Sequence, residues 1–238
     1  SPFGARGANS GIQDADNLAW KLKLVIDGQA SSALLDSYSQ ERGFAADENI
    51  LNSTRSTDFI TPKSPVSKMF RNVVLDMARE LPFARKLVNS GRLSVPSYYT
   101  NSPLNTPDTD AFAGNMVPGA PLDDAPVNAD SWLLHHLGGD FALLVDVGQA
   151  QAMSDEQRAH WSDLAAQLAA ETVPVRLWLV TADEAVPGLD TLVDTKGRLR
   201  ERLDLQTGSA YLIRPDQHVA ARWRAFDEGR VREAVRRA

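Results

Sequence analysis

Apolar residues recur at three- and four-residue spacing through the first third of the chain. Ile12, Ala15, Leu18, Ala19, Leu22, Val25 and Ile26 fall on one face of a helix predicted from about Gly11 to Asp27. Ser10 stands where an N-cap belongs, Asp14 and Asp16 put negative charge in the early turns, and Gly28 suits the stop. The preceding residues, Ser1 to Ser10, read as a loop in which Gly4 and Gly7 permit unusual backbone shapes. A second helix is predicted from about Ser32 to Phe59. Its later half is polar, through Glu41, Arg42, Asp47, Glu48 and Asn52, so it is expected to be exposed or to meet another partner. After Pro65 a stripe of Val66, Met69, Phe70, Val73, Val74, Met77, Ala78 and Leu81 predicts a third helix. Pro82 kinks or ends it, and a short helix through Phe83 to Val88 is expected to continue towards Gly91.

The pattern then changes. Between Val95 and Asn128 prolines alternate with Asn, Asp, Thr and Gly, as in an extended connector with little helix. Three segments follow: a helical part over residues 1–94, a connector over 95–128 and a terminal domain over 129–238. In the last, Ser131 to Leu137 is a short helix or strand, broken by Gly138 and Gly139. Phe141 to Val147 and Val173 to Thr181 are apolar runs suited to buried strands. A helix capped by Ser154 lies between them, with Trp161, Leu164, Ala165 and Leu168 on one face. Ala210 to Arg214 and His218 to Trp223 read as a hairpin turning at Pro215, Asp216 and Gln217, and a last helix runs from Asp227 to Arg237. Strand, helix, strand, hairpin, helix predicts an α/β fold with a mixed sheet and helices on both sides.

Composition narrows the chemistry. The chain has 238 residues and a net charge of -6, which argues against a dedicated nucleic-acid binder. The basic run Arg230, Arg232, Arg236 and Arg237 reads as the solvated face of the last helix. With no cysteine, disulfides, thiolate metal sites and cysteine nucleophiles are excluded. His135, His136, His160 and His218 lack the spacing of a metal site, so no metal is expected. No Gly-x-Ser-x-Gly elbow occurs. No stretch is long and apolar enough to span a bilayer, and a cytoplasmic protein is expected.

One segment points to a ligand. Pro2-Phe3-Gly4-Ala5-Arg6-Gly7-Ala8-Asn9-Ser10-Gly11 runs straight into a helix, where converging N–H groups and the helix N-terminus favour an anion or an electron-rich edge. On glycine spacing alone, a plain helix-entry loop is the better fit. The longer run, through Ile12-Gln13-Asp14-Ala15-Asp16-Asn17-Leu18-Ala19-Trp20-Lys21-Leu22, resembles a signature of class A FAD-dependent aromatic-ring monooxygenases, such as the phenol, hydroxyphenylpropionate and polyketide hydroxylases. Tyr38-Ser39-Gln40-Glu41-Arg42 resembles the family's next helix, where a packing role is expected for Glu41 and Arg42. Gly208 to Arg222, with Arg214-Pro215-Asp216-Gln217-His218 at its turn, resembles the hairpin of the family's C-terminal domain, which is thioredoxin-like in fold. Here it has no CxxC motif.

The resemblance implies an FAD enzyme that uses NADH or NADPH and O₂ to hydroxylate a phenol-like aromatic small molecule. It implies flavin contacts at Pro2, Gly4, Arg6, Gly7, Ala8 and Asn9. In the reduced flavin the N1 and O2 edge gains negative charge, which fixed N–H donors stabilise. No side chain is assignable as a catalytic base. The chain opens on Ser-Pro-Phe-Gly, which reads as the middle of a motif, and neither the Gly-x-Gly-x-x-Gly loop nor the Gly-Asp segment of the family is present. A C-terminal fragment is expected, inactive and without tight FAD binding alone, with exposed apolar faces that pair copies into a homo-oligomer. Two alternatives stand beside this reading. One is a non-catalytic thioredoxin-like interaction or dimerisation module, and the other is halogenation or epoxidation on the same scaffold.

Overall fold

The computed structural model describes residues 6–88 and 95–238, at Arg6 in the backbone alone. Two compact units emerge: one takes residues up to 16 and 39–97, the other 17–38 and 98–238.

Helices dominate the first unit. Helix α1 spans Arg6–Ile26, so it begins before the predicted Gly11, and residues 6–10 are helical rather than a loop. Ser10 therefore lies inside the helix and does not cap it. Gly7 and Gly11 each weaken a helix by about 1 kcal/mol, and side chains from α2 (Asp36–Ile60) offset part of that cost. Arg42 reaches across to α1, donating from Nε to Asp14 Oδ1 and from Nη2 to the Ser10 carbonyl at 3.2 Å, while Asn49 Nδ2 meets Ser10 Oγ at 3.3 Å. A short 3-10 turn, Ser32–Leu35, precedes α2. Helix α3 (Pro65–Ala78) is capped by the Ser64 hydroxyl and opens on proline at its first turn, where the missing N–H costs nothing. Of its predicted core stripe only Val74 is buried; Val66, Met69, Phe70 and Val73 are exposed. Helix α4 (Pro82–Val88) likewise starts at its proline, and its predicted continuation to Gly91 lies outside the described residues.

The second unit is a mixed sheet with two covered faces. Strands β1 (Pro126–Val127) and β2 (Ser131–Trp132) form a small antiparallel pair. The main sheet has the order β5-β4-β3-β6-β7, built from β3 (Phe141–Gly148), β4 (Val175–Thr181), β5 (Thr191–Val193), β6 (Ala210–Ile213) and β7 (Val219–Trp223). β3 and β4 are parallel, as are β4 and β5; β6 runs antiparallel to both β3 and β7. This matches the predicted α/β class. Alternate residues of β3 feed two separate cores. Phe141, Leu143 and Val145 pack with Leu164 and Leu168 of α5 (Asp155–Ala169) and Val231 and Ala234 of α7 (Glu228–Arg237). Ala142 and Leu144 pack with Leu199 and Leu203 of α6 (Arg198–Leu203) and with Met116 and Leu122. β3 is apolar from Phe141 to Val145 because both its faces are covered; the buried Asp146 that follows is paired with Arg200.

Residues 17–26 of α1 belong to this unit, and their buried face is not the predicted one. Asn17, Trp20, Lys21 and Leu24 are buried, whereas Leu22 and Ile26 are exposed at 37% and 77%. Within the predicted connector of 95–128, residues 98–125 contain no helix and no strand, β1 takes Pro126–Val127, and the segment lies strapped along β7. Thr106 N donates to Ala220 O at 2.9 Å and Gly119 N to Val219 O at 2.7 Å. Gly119 has φ +89, and a Cβ there would sit 2.4 Å from the Tyr99 carbonyl.

Candidate functional site

The first turn of α1 carries the residues that the sequence singles out. Pro2 and Gly4 lie outside the described residues. Arg6 opens the helix, and Gly7, Ala8 and Asn9 follow it with exposed surfaces. The amides of Gly7 and Ala8 have no partner within the helix, whereas Asn9, the fourth helical residue, is where intrahelical bonding begins. No acidic residue stands in this turn to neutralise its partial positive charge. Among the described residues, a Cβ built on Gly7 would meet nothing within 4 Å. These features fit the electron-rich rim of a flavin. Beside the turn runs an open groove of about 470 Å³, lined by Gly7, Ser10, Asn49, Ser53, Thr57 and Lys63 among others. Its lining mixes Ser, Thr, Asn, Asp and Lys side chains with Ala46 and Ile50, and most of the surface it presents is apolar.

Support for the turn was only partly legible. Glu41 and Arg42 suggest a surface pair at first sight, yet both are buried, at 2% and 6% exposure. The predicted packing role fits the bonds from Arg42 to Gln13, Asp14 and Ser10.

Further along α1, in the sheet-bearing unit, lies a buried polar cluster that sequence reasoning missed. Arg214, fully buried, donates to Asp216 through Nε at 3.0 Å and Nη2 at 2.6 Å. Asn17 Nδ2 donates to Asp216 Oδ2 at 3.1 Å, and Lys21 Nζ to Asn17 Oδ1 at 2.9 Å. Trp20 lies under the Arg214 guanidinium, 5.3 Å from ring centre to Cζ, and edge-on to Phe141. His218 Nδ1 is 3.4 Å from Asp216 Oδ1, and its ring stacks on Tyr99. Burial alone would raise the Asp216 pKa; the charges and hydrogen bonds of Arg214 and His218 together outweigh it and hold the carboxyl far below the usual carboxylate range. The available signal was the Asn17 and Lys21 spacing of four beside Trp20, polar residues at helical contact distance.

Among the described residues no cluster of three or more His, Cys, Asp or Glu could hold a metal ion, and no helix is long and apolar enough to cross a membrane.

Sequence comparison first defines the class. Residues 1–53 match the family described as FAD binding domain, and residues 124–238 match the HcaD C-terminal domain. Among individual proteins, the 3-(3-hydroxy-phenyl)propionate/3-hydroxycinnamic acid hydroxylase of Escherichia coli strain K12 is 33% identical over 222 residues, covering 91% of this chain and 39% of that protein. Solved structures agree on the fold. The flavin-dependent monooxygenase PieE in complex with FAD and substrate has a TM-score of 0.66 and 24% identity, over 94% of this chain and 43% of its own. Aklavinone-11 hydroxylase with FAD and aklavinone gives 0.64 and 23%, over 96% and 39%. The rebeccamycin biosynthetic enzyme RebC with reduced flavin gives 0.67 and 21%, over 100% and 43%. The resemblance to FAD-dependent aromatic-ring monooxygenases, read from the opening and closing motifs, is therefore borne out. The chain spans 39% of the length of the curated relatives it matches.

Proposed function

We propose that this chain works as the C-terminal part of an FAD-dependent aromatic hydroxylase that uses NADH or NADPH and O₂ on a phenol-like small molecule. The observation that carries the reading is the open first turn of α1, free of acidic residues, within the segment matching an FAD binding domain. The backbone at Gly7, Ala8 and Asn9, with Pro2, Gly4 and Arg6 shaping the approach, would face the flavin's N1 and O2 edge. FAD supplies the redox chemistry when bound; these residues supply oriented N–H donors and partial positive charge. Residues 1–94 are then the helical end of the FAD-binding domain, 95–128 a connector and 129–238 the terminal domain. The 2-1-3-4 order of β4, β3, β6 and β7, with a parallel first pair and an antiparallel hairpin, supports a thioredoxin-like reading of that domain. Reliance on NAD(P)H suits the cytoplasm, and the exposed apolar faces favour a homo-oligomer.

For the alternative, a non-catalytic thioredoxin-like interaction or dimerisation module, the sheet edges offer little support as a docking surface for strands. Residues 99–122 bond along β7, and Asn128 bonds to Val193 of β5 through both its backbone N–H and its side-chain oxygen. An edge already occupied offers little template for a further strand.

Flavin titration tests the reading. FAD absorbance is followed against this chain and against the protein carrying whatever coding sequence precedes residue 1. The expected outcome is affinity weaker than micromolar for this chain and a yellow, tightly bound complex for the extended protein. A colourless extended protein sinks the reading.

A further inference from the structure

Helix α1 has two faces that could each claim the core. The apolar stripe of Ala15, Ala19, Leu22 and Ile26 is the face that hydrophobicity alone would bury, yet it is exposed. The buried face is Asn17, Trp20, Lys21 and Leu24, at helical spacing, with a fully buried lysine in its middle. Burying that amine and the Asn17 amide against an apolar wall would cost several kcal/mol. The β6–β7 hairpin removes the cost by presenting Asp216, held in bidentate contact by Arg214, to the Asn17 amide, which in turn accepts from Lys21. An apolar surface would accept either face of α1; this hairpin accepts one. Buried polar pairs are weak sources of net stability, and their best-attested use is to select one register over another.

We propose that Asn17, Arg214 and Asp216 are positioning residues that fix the rotation of α1 about its own axis on the hairpin. The lock lies wholly within the sheet-bearing unit and does not rest on the flavin reading above.

The absence of native cysteine makes a direct test available. Single thiols are placed on the exposed face (A19C) and on the buried face (L24C) of α1, and the ratio of their alkylation rates is measured in this chain. With the clamp intact the A19C thiol reacts at least about 100-fold faster, as expected between exposed and buried sites that differ by a few kcal/mol of opening free energy. Adding Asp216→Asn, or the milder Asn17→Ala that leaves the Arg214–Asp216 pair in place, is expected to bring the ratio down at least tenfold while the sheet keeps a cooperative melting transition. A clamp that contributed stability alone would speed L24C and leave the A19C rate where it was, whereas a turned helix also slows A19C. An unchanged ratio, or a ratio that falls with the A19C rate unchanged, in a still-folded Asn17→Ala chain overturns the proposal. No flavin takes part in the labelling, so this failure is distinct from failure of the flavin reading, which the colour of the extended protein reports.

Discussion

Asp216 shows how one carboxylate can decide local structure. Its pKa is depressed in the folded chain, so folding favours the ionised form. The stability it contributes is present above the ordinary carboxyl pKa of about 3.9 and is lost as pH falls below it. We therefore expect the urea midpoint to fall from about pH 5 downward, and the slope of that fall to be shallower in Asp216→Asn, which takes up one proton fewer on unfolding. At neutral pH the same substitution breaks the buried Arg214–Asp216 pair, at a cost of about 3–5 kcal/mol. Tyr211 gives the opposite sign. Burial pushes its hydroxyl up to about 12, and that hydroxyl donates to the Leu203 carbonyl at 2.7 Å. Its stabilisation is complete below the ordinary tyrosine value and is lost as pH rises towards 12. An ultraviolet pH titration should show Tyr98, raised by burial and by Asp123, and Tyr211 ionising late, with the last step absent in Tyr211→Phe. A third position is steric: Gly119→Ala places a methyl 2.4 Å from the Tyr99 carbonyl at φ +89, and several kcal/mol of destabilisation is expected, read from the denaturation midpoint.

Elements reveal where hydrophobic periodicity suffices and where it misleads. Helix α5 begins with a complete capping box: Ser154 Oγ accepts from Gln157 N, and Gln157 Oε1 accepts from Ser154 N. Ser154→Ala is expected to cost about 1 kcal/mol, visible as a lowered melting temperature. That cap, β3, β4, the hairpin and α7 were legible because each carries either a long apolar run or a turn residue with one use. β5 and α6 were not. Three residues and six residues are too short to establish a period, and α6 depends on Asp194, whose carboxylate accepts from Leu199 N and Arg200 N, a contact from outside the helix. In α1 the period was right and the face was wrong, since apolarity takes no account of Asp216 lying opposite Asn17. The start of α1 was misplaced for a similar reason: Arg42, distant in sequence, bonds to its second turn. The motif singles out the candidate turn, while the bonds from Arg42 that brace it were not legible.

At the scale of the whole molecule the open question is what covers α3. Single exposed apolar side chains are ordinary on protein surfaces, but Val66, Met69, Phe70 and Val73 stand at helical spacing, each more than half exposed. Burying such a side chain contributes about 1.5–3 kcal/mol, so four together contribute about 6–12 kcal/mol. Association of two separate chains costs an estimated 4–15 kcal/mol in lost freedom alone. The two ranges overlap, so this stripe by itself supports a weak, concentration-dependent contact between copies rather than a permanent one. A segment of the same polypeptide would meet a far smaller entropic penalty and would displace a second copy. We therefore expect this chain to sediment as a mixture whose average mass rises with concentration over the micromolar range. Phe70→Glu should hold it at 26.0 kDa, with the melting of the sheet-bearing unit unchanged. A profile that stays monomeric across that range would mean that the stripe has no affinity for itself, and the homo-oligomer would have to be assembled through another surface.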